Sequence, residues 1–313
     1  MDEREWQTFL TVVEEGNITR AANRLFISQP ALTYRLRHME QDLGMPLLLR
    51  SNDGIVLTPA GEVFKRYCQR MLQERAKLDE EMNTASGKIQ GTIKIGTSIN
   101  FADYELPKLL GEFRKKYPDI HIHVRTGFSH QVAKSFNAGE CMIAFVRGDY
   151  KGNGHQEVLV SEPYCHVYKE LVPYVDLVKI PYIRYQTDHS LENVIENWCA
   201  LNLDGQPDVA MEVNSMTTCR HFVREGLGWS ILTYMGLGSC KDKDIVVRPL
   251  LDSHGKRITR DTKMIYSDTA QQLVAVKVFL DFVREYYKQH TVVDESIFVL
   301  DTPTHEDEDL PID

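Results

Sequence analysis

The stretch ISQPALTYRLRHMEQDLG, residues 27–44, constrains this chain more than any other. Leu32, Leu36, Met39 and Leu43 recur at i, i+4, i+7 and i+11, the spacing of one buried helical stripe. Ser28 is a helix-capping residue, Pro30 suits a first turn, and Gly44 is a stop. The opposite face carries Pro30, Tyr34, Arg37 and Gln41, with Thr33 beside it and Gln29 at the N-terminal tip. A helix that only packs has no use for that set. Amide, hydroxyl and guanidinium groups are what base edges and phosphates require.

The residues before it fit the same purpose. DEREWQTFLTVVEEG puts Trp6, Phe9, Leu10 and Val13 on one helical face and closes on Gly16. ITRAANRL follows, with Thr19 as the expected cap and Ala21, Ala22 and Leu25 facing inward; small alanines let a second helix approach closely. Two short helices and then the basic one make a helix-turn-helix, whose last helix enters the major groove tip first. After it, MPLLLRSNDGIVLTPAG has two apolar runs around Asn-Asp-Gly, a hairpin signal. That hairpin is a wing, with Arg50 at its base in reach of a phosphate or the minor groove. The chain's net charge is −9, which by itself speaks against nucleic acid. Its distribution reverses the argument. Residues 17–70 hold eight basic side chains against four acidic ones, while the terminal THEDEDLPID is acidic.

GNITRAANRLFISQPALTYRLRHMEQDLGMPLLLRSNDGIVLTPAG resembles the winged helix-turn-helix of LysR-type transcriptional regulators. The family pattern has an AA-x-x-L helix, Ser-Gln-Pro-Ala, a Leu-Glu-x-x-Leu-Gly helix end, Leu-Phe-x-Arg and Leu-Thr-x-x-Gly. This chain has Leu48 where Phe is usual, Met39 where Leu is usual, and Tyr34 where a polar or basic residue is common. The resemblance implies an N-terminal all-α winged helix-turn-helix over 1–58, a long linker helix over 59–87 that mediates dimerisation, and an α/β effector domain. Phe64, Met71, Leu78 and Ala85 repeat every seven residues, with Tyr67 and Met82 near the same seam, as a coiled-coil contact requires.

From Gly91 onward, strand-like and helix-like stretches alternate: GTIKIGTS, DYELPKLLGEFRKKYPD, IHIHVRTG, QVAKSFNAGE and CMIAFVRG. Such alternation gives a parallel α/β sheet. The order is similar to the LysR-type effector domain, which is periplasmic-binding-protein-like: two lobes, with the chain crossing between them twice. Lobe one is expected at 91–160 plus 268–293, and lobe two at 161–267. The domain ends near 295, and 296–313 is expected to be an acidic, disordered tail. Where the family carries an acid near the third strand, this chain has Met142. Ligands of open α/β sheets bind beyond the C-terminal strand ends, where helix N-termini favour anions. That places Thr97, Ser98 and Asn100 after the first strand, Ser129 and His130 after the second, and Arg147 after the third. Thr217 precedes a lobe-two helix. Arg147 has the fork geometry for a bidentate anion contact. The resemblance implies a small, often anionic effector, a palindromic double-stranded operator, and a dimer of dimers.

Composition excludes other classes. With 42% hydrophobic and 26% charged residues the chain is an ordinary globular protein of 313 residues, long enough for two domains. No run of apolar residues is long enough for a membrane span, and MDEREWQTFL lacks the features of a signal peptide, so a cytoplasmic location and no membrane partner are expected. His121 and His123 share a strand face without a third ligand, and no metal or cofactor is expected. No phosphate loop, nucleophile elbow or nucleophile–base set occurs, which argues against an enzyme built on the α/β region. One rival keeps the DNA-binding end and makes the signal a thiol: Cys199 and Cys219, the latter beside Arg220, would be its pair. A metabolite-binding or enzymatic α/β protein is the other rival.

Overall fold

The computed structural model describes residues 1–51, 54–85, 89–203, 205–238, 244–290 and 293–299. Helices α1 (Glu3–Glu15), α2 (Ile18–Arg24) and α3 (Gln29–Leu43) form the DNA-binding head, followed by strands β1 (Leu48–Ser51) and β2 (Gly54–Leu57). The head's core is Phe9, Val12, Ala21, Ala22, Leu32, Leu36, Met39 and Leu47, closed from the next helix by Phe64 and Cys68. Gly16 takes φ 59° at the end of α1, and the chain re-enters a helix at once. Asn17, not the expected Thr19, therefore caps α2: its side chain accepts from the amides of Thr19 and Arg20. Ser28 caps α3 as expected, accepting from Ala31 N, and Gly44 ends it at φ 70°. The wing strands pair antiparallel, Leu48 with Leu57 through Ser51 with Gly54; the expected Asn52–Asp53 turn lies outside the described residues. A Cβ at Gly61 would overlap the Leu47 carbonyl, so only glycine lets the next helix start this close to the wing.

Helix α4 (Pro59–Ala85) begins on Thr58, whose hydroxyl accepts from Gly61 N. Its first turns belong to the head: Phe64 lies edge-on to Phe9 at 4.8 Å, so Phe64 is core and not part of a free seam. Further along, Leu78 and Met82 are exposed.

The effector domain is built from β3 (Gly91–Ser98), α5 (Ile99–Tyr104), α6 (Leu106–Lys116), β4 (Ile120–Gly127), α7 (Ser129–Asn137), β5 (Ile143–Arg147) and β6 (His155–Tyr168). Then follow β7 (Tyr182–Tyr185), α8 (His189–Asn202), β8 (Val209–Val213), α9 (Met216–Arg224), β9 (Ser230–Thr233), β10 (Val246–Pro249), β11 (Thr259–Tyr266), α10 (Asp268–Gln271) and α11 (Val274–Gln289). The main sheet runs β10-β6-β11-β5-β3-β4, with β9 also on β6, while β7 and β8 pair parallel in a small sheet of their own. Besides a small cluster of α7 against β5 around Phe136, two larger apolar cores form among the described residues of this domain. One gathers α5, α6, β3, β5 and α11 around Phe113, Phe145 and Phe279; the other gathers β6, β7, α8, α9 and β9 around Trp198 and Trp229.

Two long strands carry the crossings. β6 pairs with β11 through its first part, and through Tyr164–Val167 with β9. β11 was expected wholly in lobe two, but Thr262–Tyr266 pair with β5 of lobe one. The pairing of β6 with β11 shifts register between Thr262 and Lys263, a bulge where the strands change lobes. The expected tail also needs correction. Phe298 is buried in the lobe-two core and Val299 N donates to Val247 O, because an aromatic nine residues past α11 has an apolar site to fill. Residues 300–313 lie outside the described residues.

Phe26 has φ 54° in the turn between α2 and α3, and its side chain is 94% exposed. Ile27 N donates to Ala22 O and Phe26 N to Asn23 O, the Schellman pattern that favours glycine at this position. Phe26→Gly should therefore raise unfolding stability by about 1 kcal/mol. A chemical denaturation curve reads this, and a lowered midpoint would show that the ring holds the turn.

Candidate functional site

The head presents α3 outward. Its buried stripe leaves Gln29, Pro30 and Arg37 exposed, Thr33 half-buried and Tyr34 71% exposed. Arg50 lies on β1 opposite Ile55. Arg35 is exposed on the same helix.

Between the lobes lies a cavity of about 260 Å3. Four helix starts meet there. Ser98 and Asn100 line it at the head of α5, Gly127 to Ser129 at α7, Gln186 to Asp188 at α8, and Asn214 to Thr217 at α9. Two of these starts are capped by their own side chains: Asp188 accepts from Leu191 N and Ser215 from Thr218 N. Ser129 Oγ accepts from Arg147 N and so holds β5 to α7. Ser98 Oγ is buried and has no hydrogen-bond partner within the protein.

Not every expected residue reaches the cavity. Thr97 is fully buried, its hydroxyl 3.3 Å from Ser98 O, because strand alternation turns it away from its neighbour Ser98. His130 is exposed and stacks on Phe128 with ring centroids 6.0 Å apart. Thr217 lines the cavity, but its hydroxyl is 2.7 Å from Tyr104 OH, a hydrogen bond that spans the two lobes.

Arg147 lines the cavity at 2% exposure and is ion-paired with Glu162, which is fully buried on β6. Its guanidinium also donates to Thr233 Oγ1 at 3.0 Å. Burial, then the Arg260 cation, lower its pKa. Its guanidinium is thus already engaged inside the protein, with Glu162 and Thr233, while its buried Nε has no hydrogen-bond partner within the protein. The cation that sequence reasoning missed is Arg260, 3% exposed on β11. It donates to Asp188 Oδ2 at 2.6 Å and to Arg147 O at 3.0 Å. Burial opposes its charge, and Tyr164 and Asp188 outweigh burial and raise its pKa. Strand spacing alone could not have found Arg260, since it lies far along the chain on a crossing strand.

The cysteines are of a different character. Cys199 and Cys219 are both buried. Burial, and next Glu196, push the Cys199 thiol up to about 11; burial pushes Cys219 up to about 12 against a hydrogen bond with Ser230. Among the described residues no cluster of three His, Cys, Asp or Glu side chains could hold a metal ion, and no helix is long and apolar enough to cross a membrane.

A winged helix-turn-helix head joined by a long helix to a two-lobed α/β domain is the build of a ligand-responsive DNA-binding regulator. Residues 4–62 match the family described as bacterial regulatory helix-turn-helix protein, lysR family, and residues 86–288 match the LysR substrate binding domain. The chain belongs to the LysR family of transcriptional regulators. It is 37% identical over 284 residues to YraN of Bacillus subtilis, an uncharacterised HTH-type transcriptional regulator, covering 91% of this chain and 98% of that one. The fold is similar to full-length OxyR from Pseudomonas aeruginosa, with TM-score 0.66, 21% identity and coverage of 91% and 98%. It is also similar to full-length CbnR in complex with its target DNA, with TM-score 0.58, 21% identity and coverage of 91% and 99%.

Glu162→Gln keeps an acceptor for Met235 N, which donates to Glu162 Oε2, but leaves Arg147 without its opposite charge. The expected cost is about 3–5 kcal/mol. Urea denaturation would detect it, and a midpoint equal to that of the wild type would show that Arg147 is compensated elsewhere.

Proposed function

We propose that this LysR-type regulator grips a palindromic operator as a homo-oligomer and alters that grip when a small anionic metabolite enters the cleft. Gln29, Pro30, Thr33, Tyr34 and Arg37 meet the major groove, and Arg50 meets the backbone from the wing. One head reads too few base pairs for specificity, so a second copy is needed. Leu78 and Met82, exposed on α4, support helix pairing between copies, and a dimer of dimers follows the family resemblance.

The observation that carries the effector reading is the set of helix starts around one cavity, with Ser98 Oγ unpartnered and Arg260 buried beside it. Helix N-termini favour an anion. A ligand carboxylate would take a bond from Ser98 and compete with Asp188 for Arg260, while Asp188 stays in place as the cap of α8. Ser129, Asn100 and Gln186 complete the polar lining. Ligand that favours one lobe arrangement shifts the population toward it, and α4 passes that shift to the head. Thiol sensing draws no support from the buried, high-pKa Cys199 and Cys219, since the thiolate is the reactive form.

Duplexes selected from a random pool by the wild-type protein supply the DNA probe. Arg37→Ala should bind them more weakly by about 1–3 kcal/mol, and unchanged affinity would remove Arg37 from the interface. Thermal unfolding against a panel of small mono- and dicarboxylates should find one that raises the wild-type midpoint. The same compound should raise Ser98→Ala much less; an equal rise would take Ser98 out of the ligand contacts.

A further inference from the structure

The chain passes between the lobes a third time. Helix α11 is seated in the lobe-one core through Phe279, Leu280, Val283 and Tyr286. Beyond it, Val293, Ile297 and Phe298 pack against the lobe-two core. The anchor is polar as well as apolar. Asp294 N donates to Tyr234 OH at 2.8 Å. Arg257 grips Glu295 with two nitrogens on two oxygens, each at 2.7 Å, and lies 4.9 Å above the Phe298 ring. Val299 N donates to Val247 O at 2.9 Å, along the outer edge of the sheet. The family match to the effector domain stops at residue 288, so this segment lies beyond what the match covers.

We propose that residues 293–299 are a strap that limits how far the two lobes can rotate and so regulates the cleft assigned above to the effector. The reason is reach. His290 caps α11 in lobe one, and Val293 is already packed on lobe two. Three residues of extended chain span at most about 11 Å. A rotation that separates these points must stretch that link to its limit or pull Phe298 out of its site. The two crossing strands alone set no such limit, because a bulged pair of strands bends at its bulge. With the strap, opening couples to the loss of a buried aromatic, a bidentate ion pair and two hydrogen bonds, one from Asp294 N to the Tyr234 hydroxyl and one from Val299 N to Val247 O. The strap therefore biases the lobes toward the arrangement in which Tyr104 and Thr217 meet across the cleft.

The proposal concerns regulation of the cleft and rests on that reading, but its test needs no effector. Amide hydrogen exchange is measured on the full-length wild-type protein and on two variants. One ends at His290. The other keeps every anchor residue and carries a flexible Gly-Ser insertion directly after His290, which slackens the link without removing a contact. The insertion variant should exchange roughly tenfold faster than wild type at the crossings, residues 158–162 and 259–263, and at the start of α9. Exchange in Cys165–Tyr168 and Ser230–Thr233, inside lobe two, should stay at the wild-type rate. Wild-type exchange at the crossings in the insertion variant overturns the proposal, even if the shortened chain exchanges faster, because the segment would then be packing alone. Faster exchange throughout lobe two in the insertion variant overturns it as well. Failure of the carboxylate test leaves this result untouched, so the two readings fail separately.

Discussion

Arg147 and Arg260 stand next to each other beneath the cleft, both buried, and each answered by one carboxylate. Two desolvated cations in contact through one backbone carbonyl would be intolerable without Glu162 and Asp188. Those two acids come from the other parts of the domain: Glu162 from the crossing strand β6, Asp188 from the cap of α8 in lobe two. The pairs therefore fix which strand ends face each other across the cleft. Once they are made, the starts of α5, α7, α8 and α9 have little choice but to meet at one cavity. Ser98, Asn100 and Gln186 line the same cavity beside these two arginines.

The head is held to the rest of the molecule quite differently. Glu14 of α1 pairs with Arg24 of its own head and lies 3.5 Å from Arg125 on β4. Lys65 of α4 is 3.8 Å from Glu140, and Gln69 donates to Ala138 O. These contacts border a crevice of about 810 Å3 rather than a packed interface. Partly exposed ion pairs contribute little and weaken with salt. Strong electrostatics thus lock the effector domain internally, and weak electrostatics join it to the DNA-binding head. That contrast suits a regulator, since the head can be reoriented without disturbing the domain that senses the ligand.

Much of the head was legible in order. The stripe Leu32, Leu36, Met39, the Ser28 cap and the Gly44 stop all follow from local spacing, because a helix of this kind is decided by neighbours within a few residues. The misreadings were also local, and instructive. Thr19 lost the cap to Asn17 because α2 starts at Ile18, directly after the Gly16 stop, which leaves Asn17 to accept from the first free amides. Phe64 fits a heptad and yet belongs to the head, because the same residue spacing serves a partner helix or the chain's own core.

By itself, the sequence determined the succession of elements, the family, the polar face of α3 and the neighbourhood of the cleft, since strand ends and helix starts are written in local pattern. The tertiary structure alone decided which of those polar groups remain available. Arg147 is paired with Glu162, Thr217 with Tyr104, Thr97 turns inward, and Arg260 arrives from a strand more than a hundred residues away. It also decided that a segment which reads as the start of an acidic tail is an anchor, with Phe298 in the lobe-two core. The physical reason is common to all of these. Whether a buried charge or aromatic is satisfied depends on its partner, and the partners here are distant in the chain, where no periodicity reaches.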